Sequence, residues 1–331
     1  MQNLFKSWFL RQVNKETRAE LVELDKGSFL KDEIILKVHN SAINYKDALA
    51  LTGSAPVIRK FPLIPGIDLA GEVMQSTNSL FQEGDYVFAT GWGIGEIYHG
   101  GLANYASLDA DKLIKIPKLF NCSQIMALGT AGLTAMLAIL SLEENNILPG
   151  SGKILVTGAS GAVGSIAITL LLNLGYEVTC VTTRPIDSSS YLKSLGSFEI
   201  LDTKCFMEEG KMLSKESWAG CIDTVGGSVL QNIITQMSRS GTVAVCGQVL
   251  GIKLNTNLAP FILRGIKLIG IDSAYCSLRT REIAWKRLFE SISASETSKF
   301  SEVIGITEAL KKSKEIIKGQ NKRRIVTNNN F

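Results

Sequence analysis

The chain has 331 residues, of which 45% are hydrophobic and 20% are charged, and its formal net charge at pH 7 is +4. This length accommodates two domains with separate cores, and the composition is ordinary for a globular enzyme. The charge is too small for a nucleic-acid-binding protein, and no uninterrupted apolar run reaches the roughly 18 residues of a membrane span. We therefore expect neither nucleic acid nor a membrane as a partner.

The N-terminus and the cysteines indicate the compartment. The stretch MQNLFKSWFLRQVNKET is apolar over too short a distance and lacks a small-residue cleavage site, so we expect no signal peptide. The cysteines are scattered without CxxC spacing, at Cys122, Cys180, Cys205, Cys221, Cys246 and Cys276. This pattern predicts buried free thiols in a reducing, cytoplasmic environment.

The first part of the chain, up to about residue 120, predicts short β-strands separated by glycine-containing turns. The strand segments are EIILKVHNSAI, LAGEVMQS, DYVFATGWG, GGLANYASL and DKLIKIP. Short strands with closely spaced turn signals are typical of a β-sandwich or a partly open β-barrel. We therefore assign residues 1–122 to the first part of a β-rich domain.

A helical pattern begins at Ser123. In SQIMALGTAGLTAMLAILSLEEN, apolar residues recur at helical spacing behind Ser123, which we expect to cap the helix. From Lys153 to Ser273, strands and helices alternate as KILVTGA, AVGSIAITLLLNLG, EVTCVTT, SSYLKSLG, GCIDTVGG, TVAVCG and IKLIGIDS. Apolar strands alternating with helices predict an α/β domain with a parallel, doubly wound sheet in residues 123–274.

Residues 275–331 form a third segment. The amphipathic sequence REIAWKRLFESI predicts a helix, and TEALKKSKEIIKG is followed by a final strand, RRIVTN. Because these elements are short, we expect the segment to return to the first domain.

The segment KILVTGASGAVGSIAITLL contains a turn that is typical of dinucleotide binding. A buried strand runs into the glycine-rich turn, and a helix begins there. Gly161 would let the backbone approach a pyrophosphate, and Gly164 would let the helix pack closely on the strand. Ala159 stands where the strict fingerprint has another glycine. The second strand at the right distance still favours dinucleotide binding over a merely tight strand–helix turn.

The second strand, which ends in VTTRP, predicts which dinucleotide binds. An NAD site carries Asp or Glu at this strand end to accept hydrogen bonds from the ribose 2′-hydroxyl. Here Thr182, Thr183 and Arg184 follow the strand, with no carboxylate before Asp187. An arginine flanked by two hydroxyls suits a 2′-phosphate, since each charge-assisted hydrogen bond contributes roughly 1.5–3 kcal/mol. We predict NADPH, and the alternative is a solvated arginine at a strand end.

Several motifs together resemble the medium-chain dehydrogenase/reductase superfamily. They are INYKDALALTG, FPLIPGIDLAGEV, GTAGLTA, VTGASGAVG, YLKSLG, WAGCIDTVGG and PFILR. Over nearly the whole chain they resemble its zinc-free branch of NADPH-dependent acryloyl-CoA reductases, which are often named quinone oxidoreductases. The resemblance implies a GroES-like β-barrel domain in residues 1–122 and a Rossmann NADPH-binding domain in residues 123–274.

The place of the catalytic zinc ligand is altered in this chain. Zinc-dependent relatives carry His-Glu after the Pro-Gly motif, and here Ile67 and Asp68 follow Pro-Gly. The only histidines are His39 and His99, and no cysteine quartet exists. We expect no zinc and interpret both histidines as structural or exposed. Without a Lewis acid, reduction of an activated C=C is better supported than alcohol oxidation.

The reaction implied by the resemblance is hydride transfer to the β-carbon of an α,β-unsaturated carbonyl, most concretely acryloyl-CoA to propanoyl-CoA. In a crevice between the domains, Tyr45 would donate a hydrogen bond to the substrate oxygen, or else pack over the cofactor ring. Asn44 would orient amide groups or be a plain turn residue, and Asp68 would hold backbone or arginine groups rather than move protons. Quinone reduction is the alternative activity, and a non-catalytic NADPH-binding protein is the alternative from another class.

The resemblance also implies the cofactor contacts. Tyr45 would line the nicotinamide end, and Gln248, Ile262 and Ser273 would border the nicotinamide half. The pyrophosphate would be held at Ser160, Gly161, Ala162 and Val163, ahead of Gly164. The 2′-phosphate would be held by Thr182, Thr183 and Arg184. Where the family tends to have a second basic residue, this chain has Glu199 and Asp202, with Lys204 as the nearest substitute.

Two further expectations concern partners. Lys46, Arg59 and Lys60 flank the NYKD and IPGID motifs and would meet the phosphates of a CoA thioester, or else are solvated surface. By analogy with the fold class, the chain is expected to form a homodimer in which the strand IKLIGIDS pairs across the two-fold axis.

Overall fold

The structure is a computed structural model and describes residues 3–208 and 210–331. Contacts divide the chain into two compact units. Unit one contains the residues up to Thr130 together with Ser301–Phe331, and unit two contains Ala131–Phe300.

The secondary-structure elements are numbered along the chain. The strands are β1 (Leu4–Val13), β2 (Glu16–Asp25), β3 (Ile34–Ile43), β4 (Asp68–Ser76), β5 (Tyr86–Thr90), β6 (Tyr105–Leu108), β7 (Ile114–Lys115), β8 (Ile154–Thr157), β9 (Val178–Thr182), β10 (Glu199–Asp202), β11 (Trp218–Asp223), β12 (Met237–Val245), β13 (Lys267–Gly270), β14 (Ser301–Gly305) and β15 (Arg324–Asn328). The α-helices are α1 (Lys26–Phe29), α2 (Tyr45–Thr52), α3 (Cys122–Glu144), α4 (Ala162–Asn173), α5 (Pro185–Ser194), α6 (Gly227–Gln236), α7 (Ala259–Arg264), α8 (Leu278–Ser291), α9 (Thr297–Phe300) and α10 (Ala309–Ile317).

Unit one is built on a mixed sheet with the strand order β14-β15-β3-β4-β5-β7, and β6 pairs with β3 beside this path. Neighbouring strands run antiparallel except for β14 and β15, which are parallel. Ile34, Leu36 and Leu69 are wholly buried in a core on one side of this sheet. The predicted domain of short β-strands is confirmed.

The hairpin β1–β2 and helix α2 of unit one were missed by the sequence analysis. The hairpin β1–β2 turns at Asn14 and Lys15, whose φ angles of 50° and 68° match the twist of a two-residue hairpin loop. Helix α2 follows Asn44 and ends at Gly53, which has a φ of 67°. With eight residues, α2 is too short for its apolar spacing to indicate a helix.

Unit two contains a six-stranded sheet with the order β10-β9-β8-β11-β12-β13. Every pairing in it is parallel. All residues of β8, β9 and β11 are buried, as expected for strands covered by helices on both faces. The predicted parallel, doubly wound sheet is confirmed. Its edge strand β10 was missed because EILD is short and begins and ends with an acid.

The predicted cap of the long helix α3 was wrong. The helix begins at Cys122, so that Ser123 lies in its first turn. Asn121 precedes it, and its side-chain oxygen accepts a hydrogen bond from the backbone N–H of Gln124 at 2.9 Å. The side chain of Gln124 accepts in return from the backbone N–H of Asn121, also at 2.9 Å. This reciprocal pair satisfies two backbone donors, which the serine two residues later does not do.

Helix α3 is also long and apolar enough to cross a membrane by length and composition, with a mean hydropathy of 2.0 over 18 residues. No charged residue occurs in α3 before Glu143, but Thr130, Thr134 and Ser141 interrupt its apolar residues, so it contains no uninterrupted apolar run of this length. Of that apolar window, 89% is buried inside the protein, as in the core helix of a globular domain.

The two units differ from the predicted domain boundaries at two places: residues 123–130 cluster with unit one, and residues 275–300 cluster with unit two. Helix α8 buries Ala284, Trp285 and Leu288 there. Its Arg287 pairs with Glu143 at 3.0 Å, which holds α8 to the same unit. The segment that joins unit one therefore begins at Ser301, because the apolar face of α8 needs partners that unit two supplies.

Candidate active site

The glycine-rich turn of unit two presents a free helix start. Strand β8 ends at Thr157, Gly161 precedes α4, and no described side chain caps that helix. The backbone N–H groups of its first turn therefore remain available, and the helix dipole favours an anion near them. Ala162 and Val163 are half-buried beside this helix start.

The glycines of the turn fit a dinucleotide because Gly164 leaves no room for a side chain and Gly161 leaves little. A Cβ on Gly164 would lie 2.9 Å from Ala159 Cα, and a Cβ on Gly161 would lie 3.1 Å from the carbonyl oxygen of Gly158. Gly158 itself has a φ of 58°. The side chain of Ala159 is buried, so this departure from the fingerprint is accommodated inside the protein. The backbone of the turn is thus left uncovered, as a pyrophosphate requires.

The hydroxyl of Thr182 links this turn to the end of β9. Its Oγ1 lies 3.3 Å from Ser160 Oγ, and it accepts a hydrogen bond from the backbone N–H of Arg184 at 3.3 Å. Only 2% of Thr182 is exposed, whereas Thr183 is exposed and Arg184 is half-buried. This arrangement favours Thr183 and Arg184 for contact with a 2′-phosphate and gives Thr182 the role of holding its neighbours.

The acids that follow α5 are engaged with other groups. Glu199 pairs with Lys153 at 2.8 Å and accepts from the Thr179 hydroxyl at 2.8 Å, and the pairing with Lys153 lowers the pKa of its carboxyl. It lies opposite Thr179, at the beginning of β9 rather than at its end. Asp202, which is opposite Thr182, accepts from the backbone N–H of Lys204 at 2.9 Å.

The three residues predicted for the nicotinamide half lie in different surroundings. Ser273 is half-buried, and its hydroxyl accepts a hydrogen bond from Thr134 at 2.7 Å. The buried Arg281 donates to the carbonyl oxygen of Ser273 at 2.8 Å. Gln248 is exposed after β12 and lines a cavity of about 320 Å³ in unit two. Ile262 lies on α7 with 72% of its surface exposed.

In unit one, the predicted catalytic residues meet at the start of α2. Asn44 precedes the helix, and its backbone N–H donates to Asp47 Oδ2 at 2.9 Å. Tyr45 is the first residue of the helix and is 41% exposed, so that its phenol is accessible to a substrate. The same exposure leaves the ring of Tyr45 accessible for packing over a cofactor ring, which is its alternative role.

Asp68 is wholly buried and holds several donors at once. Its carboxylate accepts from Arg324 Nη2 at 2.6 Å, from Asn44 Nδ2 at 2.9 Å, and from the N–H and hydroxyl of Thr130 at 3.0 and 2.5 Å. A carboxylate with these partners and no exposed surface is suited to positioning its neighbours rather than to proton transfer.

Arg324 was missed by the sequence analysis. It is wholly buried, and besides Asp68 it donates to Asn44 Oδ1 at 2.8 Å and to the carbonyl oxygen of Met126 at 2.8 Å. Gly129 interrupts α3 with a φ of 46°, and a Cβ there would lie 2.5 Å from Asp68 Oδ2. The available signal was an arginine at the start of the apolar strand RIVTN, where a charge needs a buried partner.

Asp47 is the second residue that the sequence analysis missed. It is buried, and it accepts from the backbone N–H of Ile67 at 2.9 Å as well as from Asn44. Burial, together with the nearby charge of Asp68, raises the pKa of Asp47 to about 6, against the lowering effect of the hydrogen bonds that its carboxylate accepts. Asp47 therefore ties the start of α2 to the segment that contains Asp68.

Comparison with known proteins shows where the chain belongs. Residues 30–118 match the family described as alcohol dehydrogenase GroES-like domain, and residues 162–290 match the family described as zinc-binding dehydrogenase. The probable acrylyl-CoA reductase AcuI of Escherichia coli is 42% identical over 94% of this chain and 95% of its own.

The chain belongs to the medium-chain dehydrogenase/reductase superfamily.

The relatives of this medium-chain reductase include proteins named acrylyl-CoA reductase and quinone oxidoreductase, and related structures contain either NADPH or NAD. The putative quinone oxidoreductase YhfP of Bacillus subtilis is 38% identical, with 87% of both chains covered. The structure of E. coli YhdH with bound NADPH has a TM-score of 0.94 at 41% identity, covering 98% of this chain and 100% of YhdH. That of B. subtilis YhfP with NAD bound has a TM-score of 0.93 at 34% identity, covering 98% and 99%. The predicted GroES-like and Rossmann domains are confirmed.

The second family match is named for zinc, but the described residues of this reductase contain no group of three His, Cys, Asp or Glu side chains that is placed to hold a metal ion. At the ligand place, Ile67 is buried. His39 lies 3.7 Å from Glu72. His99 Nδ1 accepts from the backbone N–H of Ile64 at 3.2 Å, and burial lowers the pKa of His99. The structure thus favours structural roles for both histidines.

The basic residues considered for CoA binding are not equivalent in this reductase. Lys46 Nζ pairs with Glu96 at 2.8 Å, and Glu96 is largely buried, so the charge of Lys46 is already neutralised. The carbonyl oxygen of Glu96 accepts from the backbone N–H of Arg59 at 2.9 Å, whereas the side chains of Arg59 and Lys60 are exposed. Arg59 and Lys60 are therefore the better candidates to meet a phosphate.

The cysteines of this reductase are free, and most are covered. Cys122, Cys180 and Cys221 are buried, and burial raises the pKa of each thiol, to about 11 in Cys122 and Cys180. Cys246 and Cys276 are half-buried, and the expectation of burial was wrong for Cys205, which is exposed on a 3-10 turn that follows β10.

Proposed function

We propose that this medium-chain reductase is an NADPH-dependent oxidoreductase that reduces an activated carbon–carbon double bond, with acryloyl-CoA as its acceptor. The observation that carries the proposal is the strand end Thr182-Thr183-Arg184, in a chain whose relatives at 42% and 38% identity are named acrylyl-CoA reductases. The YhdH structures from E. coli and Salmonella enterica, both 41% identical, contain NADPH and NADP respectively.

The residues of unit two would hold the cofactor. The uncapped start of α4, with Gly161, Ala162 and Val163, suits the pyrophosphate, and Arg184 with Thr183 suits the 2′-phosphate. Thr182 and Ser160 would hold these two regions in register through their hydroxyls. Gly164 would keep the helix close to the strand, while Gln248, Ser273 and Ile262 border the nicotinamide half.

When bound, NADPH supplies the hydride. The protein's task at the acceptor is then to stabilise negative charge on the carbonyl oxygen of the thioester, which requires an oriented hydrogen-bond donor. Tyr45 is the proposed donor because its phenol is accessible and its helix start is held in place. Asn44 is fixed by Asp68 and Arg324 through hydrogen bonds of 2.9 and 2.8 Å, so it presents α2 in one orientation.

Quinone reduction is the second candidate activity. It is favoured by the 38% identity to the putative quinone oxidoreductase YhfP. An accessible phenol would equally stabilise the oxyanion of a reduced quinone, so the residues of unit one do not separate the two acceptors. A non-catalytic NADPH-binding protein is the remaining alternative.

We further propose that the chain forms a homodimer through β13. This strand is the last of the parallel sheet and pairs only with β12 among the described residues. Exposed apolar side chains lie on it and on the segments before it, namely Ile252, Leu258, Ile262, Leu263 and Leu268. Pairing of β13 with a second copy would cover an open sheet edge and part of this apolar surface.

A cytoplasmic location is also part of the proposal. It rests on the free thiols, which persist in a reducing compartment. Fractionation of cells that express the protein with an activity assay of each fraction would test it, and activity in a secreted or membrane fraction would contradict it.

The test of function follows NADPH absorbance with purified protein and acryloyl-CoA, crotonyl-CoA or a panel of quinones. We expect the highest kcat/KM with acryloyl-CoA, and NADPH to be preferred to NADH by about 10- to 100-fold. Rapid turnover of quinones without turnover of either thioester would instead establish the second activity. Tight NADPH binding without oxidation by any acceptor would establish the non-catalytic alternative.

A further inference from the structure

Two buried polar side chains join the ends of the central strands of unit two. Thr157 is the last residue of β8 and Asp223 is the last residue of β11, and neither has exposed surface. The hydroxyl of Thr157 donates to Asp223 Oδ1 at 2.7 Å. The backbone N–H of Thr224 donates to Thr157 Oγ1 at 2.9 Å, so the hydroxyl acts as donor and acceptor at once.

Each of these strand ends leads into a loop that the proposed cofactor site uses. After Thr157 the chain enters the glycine-rich turn, and Asp223 Oδ2 accepts from the backbone N–H of Gly226 at 2.8 Å. The carbonyl oxygen of Asp223 accepts from the N–H of Cys246 at 2.9 Å, two residues before Gln248. The pair thus contacts the start of the turn, the loop before α6 and the approach to Gln248.

The two loops meet at Thr224, whose backbone N–H is held by the hydroxyl of Thr157. The hydroxyl of Thr224 donates to the carbonyl oxygen of Thr157 at 2.9 Å. A Cβ on Gly158 would collide with Thr224 Oγ1, and a Cβ on Gly247 would collide with the backbone of Thr224. A displacement of Thr224 would therefore be transmitted to both glycines.

The charge of Asp223 has no cation beside it. In the described part of the chain its hydrogen-bond partners are neutral, namely the Thr157 hydroxyl and the backbone N–H groups of Val225 and Gly226. Burial raises the pKa of this carboxyl. A buried acid without a cation lowers stability, so its presence at a loop junction points to a functional constraint.

We propose that Asp223 and Thr157 are positioning residues that hold the glycine-rich turn and the Gln248 loop in the conformation that binds NADPH. The inference rests on the proposed function, because it concerns the same cofactor. Neither residue contacts the dinucleotide in this proposal, since both are wholly buried. Without the pair, only a fraction of the molecules would have the conformation that binds NADPH. The apparent dissociation constant for NADPH would then be the intrinsic one divided by that fraction.

The test compares Thr157→Val with Thr157→Ser. Valine keeps the shape and removes both hydrogen bonds, whereas serine keeps the hydroxyl. At a temperature where all variants are folded, we expect T157V to raise the Kd for NADPH about tenfold and T157S to stay within about twofold. The KM for NADPH should rise with Kd while kcat with acryloyl-CoA is unchanged.

The matched control is Thr242→Val in the neighbouring strand β12. Thr242 is wholly buried, and its hydroxyl has no hydrogen-bond partner among the described residues. T242V should therefore leave the Kd for NADPH unchanged, which separates the loss of this hydrogen-bonded pair from a general effect of valine in the sheet.

Asp223→Asn gives a second, independent measurement. An amide retains only one acceptor oxygen, so either the Thr157 hydroxyl or the backbone N–H of Gly226 loses its acceptor and meets a donor instead. We expect D223N to raise the Kd about as much as T157V does, and the double variant to bind no more weakly than either single variant, because one interaction is lost in each case.

The outcomes distinguish the inference from the proposed function. If the unaltered protein does not bind NADPH, the proposed function fails. If it binds NADPH and T157V binds equally well, or if T157S is impaired as much as T157V, the positioning role is wrong while the proposed function stands.

Discussion

The cofactor turn of unit two and the α2 cluster of unit one differ in how they are built. The turn is formed by contiguous residues, from Gly158 to Gly164, and its chemistry lies in the backbone. The α2 cluster consists of Asn44, Asp47, Asp68, Thr130 and Arg324, and its chemistry lies in buried and half-buried side chains from distant parts of the chain.

This difference determines how each region responds to substitution. A turn made of backbone groups tolerates change in side chains that point elsewhere, as the buried Ala159 illustrates. A buried ion pair does not, because removing one partner leaves an uncompensated charge in a low-dielectric interior. Substitutions in the α2 cluster should therefore mainly lower the stability of the protein. Substitutions at the strand end Thr182-Thr183-Arg184 should mainly weaken cofactor binding.

The largest effect is expected from Arg324→Leu. The substitution leaves the wholly buried Asp68 without its cation, and we expect a loss of roughly 3–5 kcal/mol in the free energy of unfolding. Chemical denaturation measures it. The double variant with Asp68→Leu should recover part of the loss, and Lys153→Ala, which breaks an exposed pair, should have no measurable effect. Equal stability of R324L and the unaltered protein would contradict the assignment of the cluster.

The contribution of Asp47 to the stability of the α2 cluster should depend on pH. Its pKa is about 6 in the folded protein against 3.8 for an ordinary aspartate. Between these values the folded protein keeps the proton that the unfolded chain has released, so the contribution of Asp47 to stability is present below pH 4 and is lost as the pH rises to 6. Relative to Asp47→Asn, the unaltered protein should lose roughly 3 kcal/mol of unfolding free energy between pH 4 and pH 7.

The measurement is chemical denaturation of both proteins across that range. Asp111→Asn, at an exposed site, should follow the pH profile of the unaltered protein. Parallel profiles for D47N and the unaltered protein would show that burial does not raise the pKa of Asp47.

Tyr45→Phe separates the two roles of the accessible phenol. If the hydroxyl stabilises the developing oxyanion, kcat with acryloyl-CoA should fall about a hundredfold while the Kd for NADPH stays constant. Steady-state kinetics and cofactor titration measure the two quantities. Tyr98→Phe, another exposed tyrosine of unit one, should be unaffected. An unchanged kcat in Y45F would leave Tyr45 as a packing residue.

Arg184→Ala should have the smallest of these effects, and it should act on the binding of NADPH. We expect the KM for NADPH to rise about 10- to 100-fold, because charge-assisted hydrogen bonds to the 2′-phosphate are lost, with no change in the KM for NADH. Lys193→Ala on the exposed face of α5 serves as the matched control. Equal losses with NADPH and NADH would mean that Arg184 does not distinguish the two cofactors.

The parts that were predicted correctly are those in which the information is contiguous. The strands of unit two are apolar runs, and the turn between β8 and α4 is a string of neighbouring residues, so periodicity and spacing were sufficient. Helix α2 and strand β10 were missed because eight and four residues are too few for a period to emerge. The cap of α3 was misplaced because Ser123 and Asn121 are both plausible caps, and only the geometry selects the asparagine.

The sequence by itself determined the parallel α/β unit, the glycine-rich turn and the basic strand end, because each depends on interactions between neighbours along the chain. Only the tertiary structure decided that Arg324 neutralises Asp68 across 256 residues of sequence, that α8 belongs to unit two, and that Thr157 meets Asp223. These contacts depend on which buried polar groups face one another in the folded protein. Each such group needs a partner because the interior has a low dielectric constant, and the partner is brought near it only when the chain folds.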